Sequence, residues 1–172
     1  MTDRLMKAKH WQIFLGWLLL FWLYSLVDHK GYPILFTIAR VLLYIAYFGW
    51  FLLLERTLKA YLPSGSNVSS SLFIGCIAFL VGAIGYGALV ATPGESIPVE
   101  GFVALPFLFA FFYLPYHLGK LLATVEHRKA INFGRHFGET ILFLFYPLGM
   151  WLLQPRINEL YTRQRIEEPH GS

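Results

Sequence analysis

Charge is scarce in this chain. Of 172 residues, 14% are Asp, Glu, Lys or Arg, against about a quarter in an ordinary soluble domain, while 56% are hydrophobic and 18% aromatic. Neither a water-soluble globule nor a disordered chain has that composition. Cysteine is nearly absent: the single Cys76, inside an apolar run, excludes an internal disulfide framework and reads as a small buried hydrophobe. Acids are missing from the apolar runs. Asp28, Glu55, Glu95, Glu100, Glu126 and Glu139 border them and stand at their ends. No His-Glu-x-x-His, Cys-x-x-Cys, Gly-x-Ser-x-Gly or glycine-rich phosphate loop occurs, so no catalytic residue, metal-ligand set or cofactor is assigned. The net charge of +4 comes mainly from residues flanking the runs. It favours contact with anionic lipid heads and gives no nucleic-acid footprint.

What is present is a series of long apolar runs. A helix satisfies its own backbone in hydrocarbon and needs about 20 apolar residues to cross it. Five segments approach that length, at about 11–27, 33–54, 72–91, 102–123 and 140–154. The expected fold is therefore an all-α membrane protein, a single integral membrane domain over 1–172 with about five transmembrane helices and a polar tail from 155. The basic start, Arg4, Lys7 and Lys9, followed by the first run, resembles a signal peptide. No small-x-small cleavage site follows, and the run reads as an uncleaved first helix. The second segment opens on Pro33, a favourable first helical residue. Residues 124–138 read as a short amphipathic helix. The fifth segment is the shortest and is interrupted by Pro147-Leu148-Gly149, so it either crosses or dips in and returns.

Basic residues set orientation. Arg4, Lys7, Lys9, Arg56, Lys59, Arg128, Lys129 and Arg135 fall on one side of an alternating path, with only Lys30 in the first loop opposite. This places the N-terminus in the cytoplasm, with the chain crossing the membrane several times. A true fifth crossing would put Arg156, Arg163 and Arg165 outside, whereas a returning segment would bring eleven basic residues to one side. The crossing is the expectation, because the first helices usually dominate orientation.

Ionisable groups at membrane depth are functional candidates by default. Helical spacing puts Thr37, Arg40, Tyr44 and Tyr47 on one face of the second segment. It puts Tyr113, His117, Lys120 and Thr124 on one face of the fourth. Two polar stripes, each carrying a cation and none carrying a carboxylate, suit an anionic ligand. Arg40, Tyr44, Tyr47, Tyr113, His117 and Lys120 are therefore the expected binding residues, for an anionic lipid or small acid. Arg40 and Lys120 also lie close enough to helix ends to lift their charges to the interface. Gly75, Ala78, Gly82 and Gly85 form a small-residue face on the third segment, which suits close packing against another helix of this chain or of an oligomeric partner. Only His117, of six histidines, falls inside a run, which leaves a haem without a second ligand at depth. The readings carried forward are a non-enzymatic lipid binder or accessory subunit, then a small transporter or channel, then a membrane enzyme with a histidine-based metal or haem site.

The most characteristic stretch holds His117-Leu118-Gly119-Lys120, Thr124-Val125-Glu126, Phe137-Gly138-Glu139, Tyr146-Pro147-Leu148-Gly149-Met150-Trp151 and Gln154-Pro155-Arg156-Ile157-Asn158. It resembles a group of uncharacterised multi-pass membrane proteins of bacteria, many from Bacteroidetes-type genomes. The resemblance covers about the last quarter of the chain and implies a bacterial inner-membrane setting, with no activity attached. Within it, Gln154-Pro155-Arg156 is expected to stop the fifth helix at the interface, with Trp151 as anchor.

Overall fold

A computed structural model describes residues 10–26, 32–63, 66, 68–90, 101–129, 134 and 136–167. Six helices and no strands occur among them: α1 (His10–Leu26), α2 (Pro33–Lys59), α3 (Ser71–Val90), α4 (Gly101–His127), α5 (Phe137–Leu144) and α6 (Tyr146–Glu167). The first four match the first four apolar runs. By length and composition two of them can cross a membrane, Ile34–Lys59 in α2 and Val103–His127 in α4. The apolar stretches Phe14–Leu26 and Ser71–Gly87 are shorter. Five spans therefore remain an expectation, and the all-helical class is established.

Ring contacts give the packing order. Trp17 meets Tyr47 at 5.8 Å and Tyr24 meets Phe36 at 5.1 Å, so α1 and α2 run antiparallel. Phe73, near the start of α3, stacks on His117 in the second half of α4 at 4.7 Å. The C-terminal ends of α2 and α4 and the N-terminal end of α3 thus lie together, at what we call the polar end. The buried core follows from helical spacing: Phe51, Leu54 and Leu58 on α2, Phe73, Ile77 and Leu80 on α3, Leu114, Leu118 and Leu121 on α4. These positions sit in the half of the bundle nearer the polar end. In the other half, Ile34, Leu35, Ile38, Val41, Leu42 and Ile45 of α2 are all exposed. Apolar surface on that scale marks a face that contacts a membrane or another protein.

The fifth segment departs from its expected single helix. It divides at Phe145 into α5 and α6, and the chain turns back there. Arg156 bonds Glu139 at 2.7 Å, yet 17 residues of continuous helix would hold the two about 25 Å apart. Tyr146, 1% exposed, forms the tip. It packs edge-on against Trp17 at 5.8 Å and Phe51 at 5.6 Å, midway along α1 and α2. On the return limb Trp151 meets Phe14 at 5.7 Å, one turn closer to the start of α1.

Two glycines allow this fold-back. A Cβ on Gly149 would stand 2.7 Å from the carbonyl carbon of Leu142 and closer still to its oxygen, and a Cβ on Gly119 would stand 2.7 Å from the backbone nitrogen of Thr140. Gly149 lets the two limbs of the hairpin meet, and Gly119 seats α5 against α4.

Two other expectations are corrected. Residues 124–127 continue α4 and start no separate amphipathic helix. The turn follows at Arg128, whose φ of 52° is left-handed, and 130–133 and 135 lie outside the described residues. Pro155 does not stop the chain, because α6 runs through it to Glu167. One missing N–H is outweighed by buried Leu153 and Ile157 on either side and by the anchored Arg156. Gly75, Ala78, Gly82 and Gly85 are exposed, with open space around the three glycines, and Gly85 borders a groove between α2 and α3.

Candidate functional site

Three features combine polar or aromatic groups at depth, and the six expected site residues are distributed among them. The first is a cavity of about 550 Å³ beyond the hairpin tip. Trp17 and Phe21 of α1, Tyr44 and Tyr47 of α2, Phe107 and Phe111 of α4 line it, with Tyr146 as its floor. It forms because the hairpin fills only the half of the bundle nearer the polar end, leaving aromatic side chains of four helices to meet around open space. Tyr47 is held there by Phe51 at 4.8 Å and Tyr146 at 6.2 Å. Apart from phenol hydroxyls and the Trp17 indole the lining is hydrocarbon, so it suits an apolar chain better than a small acid.

The second feature is a buried polar cluster near the polar end. Glu55 is 4% exposed and His117 3%, and they face one another from α2 and α4 with Nε2 to Oε1 at 3.9 Å. Ser70, just before α3, donates to Glu55 and accepts from Lys59. Lys59 also stands 3.5 Å from Glu55. His117 is clamped by Phe73 and by Tyr113 at 5.9 Å. Its Nε2 is fully buried without a hydrogen-bond partner. The arrangement is a carboxylate and an imidazole in apolar surroundings, connected through Ser70 to a partly exposed ammonium. Glu55 stands at the end of its apolar run, and the run alone gives no sign that it turns inward.

The third feature closes the base of the hairpin. The Arg156 guanidinium donates to both oxygens of Glu126, at 2.8 and 2.5 Å, and to Glu139 at 2.7 Å. This two-pronged geometry is the strong form of the Arg–carboxylate bond. Burial pushes the Glu139 carboxyl up, but the Arg156 hydrogen bond and charge outweigh it and hold the group below its ordinary value. Burial likewise pulls the Arg156 guanidinium down, and the two carboxylates more than restore it. Sequence spacing gives no sign of this pairing, since Arg156 lies 30 residues from Glu126.

Arg40 and Lys120 do not converge. Arg40 precedes Glu55 by 15 residues, about 22 Å along α2, while Lys120 lies one turn beyond His117 toward the polar end. Arg40 lies over the Phe36 ring at 5.7 Å and borders a groove of about 450 Å³ between α2 and α3. Thr124, on the Lys120 stripe, bonds back to the Lys120 carbonyl at 2.8 Å. One small anion therefore cannot touch both cations. Among the described residues no group of three or more His, Cys, Asp or Glu side chains is placed to hold a metal ion. No protein-family model, no curated protein and no solved structure matches the chain.

Proposed function

We propose that this chain is a multi-pass inner-membrane protein that crosses with α1–α4, dips in and out with the α5–α6 hairpin, and binds an amphiphile between its helices. Its role is binding, alone or as the accessory subunit of a larger membrane assembly, and it makes no chemical change. The observation that carries the reading is the aromatic cavity above Tyr146, an apolar volume lined by four helices and floored by the hairpin. The exposed apolar faces of the half-bundle around it support lipid as the surrounding solvent. The returning hairpin also supports the orientation, because a chain that returns brings Arg156, Arg163 and Arg165 to the side that the charge rule assigns to the cytoplasm.

Photocrosslinking tests this. A phospholipid bearing a photoreactive group in mid-chain, reconstituted with the full protein, is expected to label residues 17–21 and 107–114. Labelling confined to outward residues such as Ile34, Ile38 and Leu105 would show that no chain enters the cavity.

The buried Glu55–His117 pair supports a second reading, a small proton-linked transporter, since it places a titratable carboxylate within the bundle. Flux in proteoliposomes that Glu55→Gln abolishes would favour that reading over static binding.

A further inference from the structure

We infer that the groove between α2 and α3 is a phospholipid site of the leaflet away from the polar end, with Arg40 as the ligand of the phosphate. The inference rests on the amphiphile-binding reading but concerns a different surface from the aromatic cavity. Among the described residues Arg40 is the only charged one bordering the groove, and no carboxylate lies within ion-pair distance of it. Its Nε has no accessible surface and no acceptor. Among the described residues the Phe36 ring face is the one partner of its guanidinium. A cation with unused donors in apolar surroundings is costly until an acceptor arrives.

Depth identifies that acceptor. Arg40 lies seven residues from Pro33, about 10 Å from the helix start. Helical side chains lean toward the N-terminus, so the guanidinium reaches back over Phe36 toward the interface, where lipid phosphates lie. A planar guanidinium matches a phosphate with paired hydrogen bonds. Below it the groove is apolar, bordered by Tyr44, Phe48, Ile77 and Val81. Gly85 leaves its wall open: a Cβ there would meet nothing within 4 Å. The groove therefore offers a phosphate contact at the interface and room for an acyl chain beneath it. Because no acid among the described residues balances Arg40, a phospholipid with net negative charge is preferred.

The test is native mass spectrometry of the full protein in mild detergent, titrated with phosphatidylglycerol and, in parallel, phosphatidylethanolamine. Wild type is expected to bind phosphatidylglycerol more tightly. Arg40→Met should weaken that binding about tenfold or more, the scale of losing charge-assisted hydrogen bonds. Gly85→Leu, which fills the groove and keeps the cation, should weaken it as well, and Lys120→Met should leave it unchanged. Continued protection of Cys76 from thiol reagents shows that each variant is folded. Wild-type affinity in Arg40→Met, or an equal loss in Lys120→Met, overturns the proposal. Crosslinking into residues 17–21 and 107–114 reports on the cavity separately, so the two readings fail independently.

Discussion

Replacing Gly149 by Ala is the most direct probe of the hairpin. The added methyl would lie 2.7 Å from the Leu142 carbonyl carbon, below the 3.0 Å that real Cβ atoms respect, and closer still to the oxygen. The obstacle is backbone, which no rotamer change relieves. Overpacking of this kind costs about 3 kcal/mol at the upper end of its range. Removing a helical glycine returns about 1 kcal/mol. The net is a loss of about 2 kcal/mol, a fall in melting temperature of roughly 4–8 °C for a chain of this size. Gly82→Ala is the matched control, because its Cβ meets nothing within 4 Å, and it should gain up to about 1 kcal/mol. Cys76, 5% exposed and the sole thiol, gives the assay: a maleimide dye reports unfolding in detergent without any added label. If residues 137–167 formed one straight helix, both substitutions would stabilise. A melting temperature for Gly149→Ala at or above wild type would therefore refute the close approach.

Further expectations concern the polar end. Glu139 is held below its ordinary value of 4.5, so its ion-pair stabilisation is complete above that pH. It is lost as the pH falls through the lower folded value. Thermal melts should show acid destabilisation below about pH 4.5, and Glu139→Gln should flatten it; a profile identical to wild type would dismiss the pair's role. In the buried cluster, Glu55→Leu removes the acceptor of Ser70 and should cost about 1–3 kcal/mol, whereas His117→Phe keeps a ring on Phe73 and should cost about 1 kcal/mol or less. Equal losses in denaturant titration would contradict that asymmetry. For topology, a fluorescent-protein fusion at residue 172 should fluoresce and a periplasmic phosphatase fusion there should be inactive; the reverse pattern would mean that the fifth segment crosses.

The first four helices were legible because a long uncharged run permits little else. Trp11 to Val27 and Leu72 to Ala91 announce themselves. The turn at Phe145 was half legible. Pro147 and Gly149 marked a break, and the basic residues of the tail favoured a return. What decides it is the Leu142–Gly149 approach and a salt bridge to Glu126, both tertiary facts. The site was less legible. Helical spacing correctly grouped Tyr44 with Tyr47 and Tyr113 with His117, but it says nothing about which stripes meet. Arg40 and Lys120 sit at different heights on their helices, and the partner of His117 proved to be Glu55, an acid whose inward turn depends on Ser70 and the start of α3. Burial of a residue at a helix end is settled by its neighbours, not by its own segment.

In the proposed arrangement, a hairpin that penetrates only halfway would also shape the membrane around it. In the proposed orientation the cytoplasmic leaflet must accommodate six helical rods and the opposite leaflet four. With each rod about 10 Å across, the protein is broader on its cytoplasmic side, and lipids there are displaced over a larger area. A chain so tapered fits best where the bilayer bends to match the taper, and its density in curved and flat regions of the same membrane would differ accordingly.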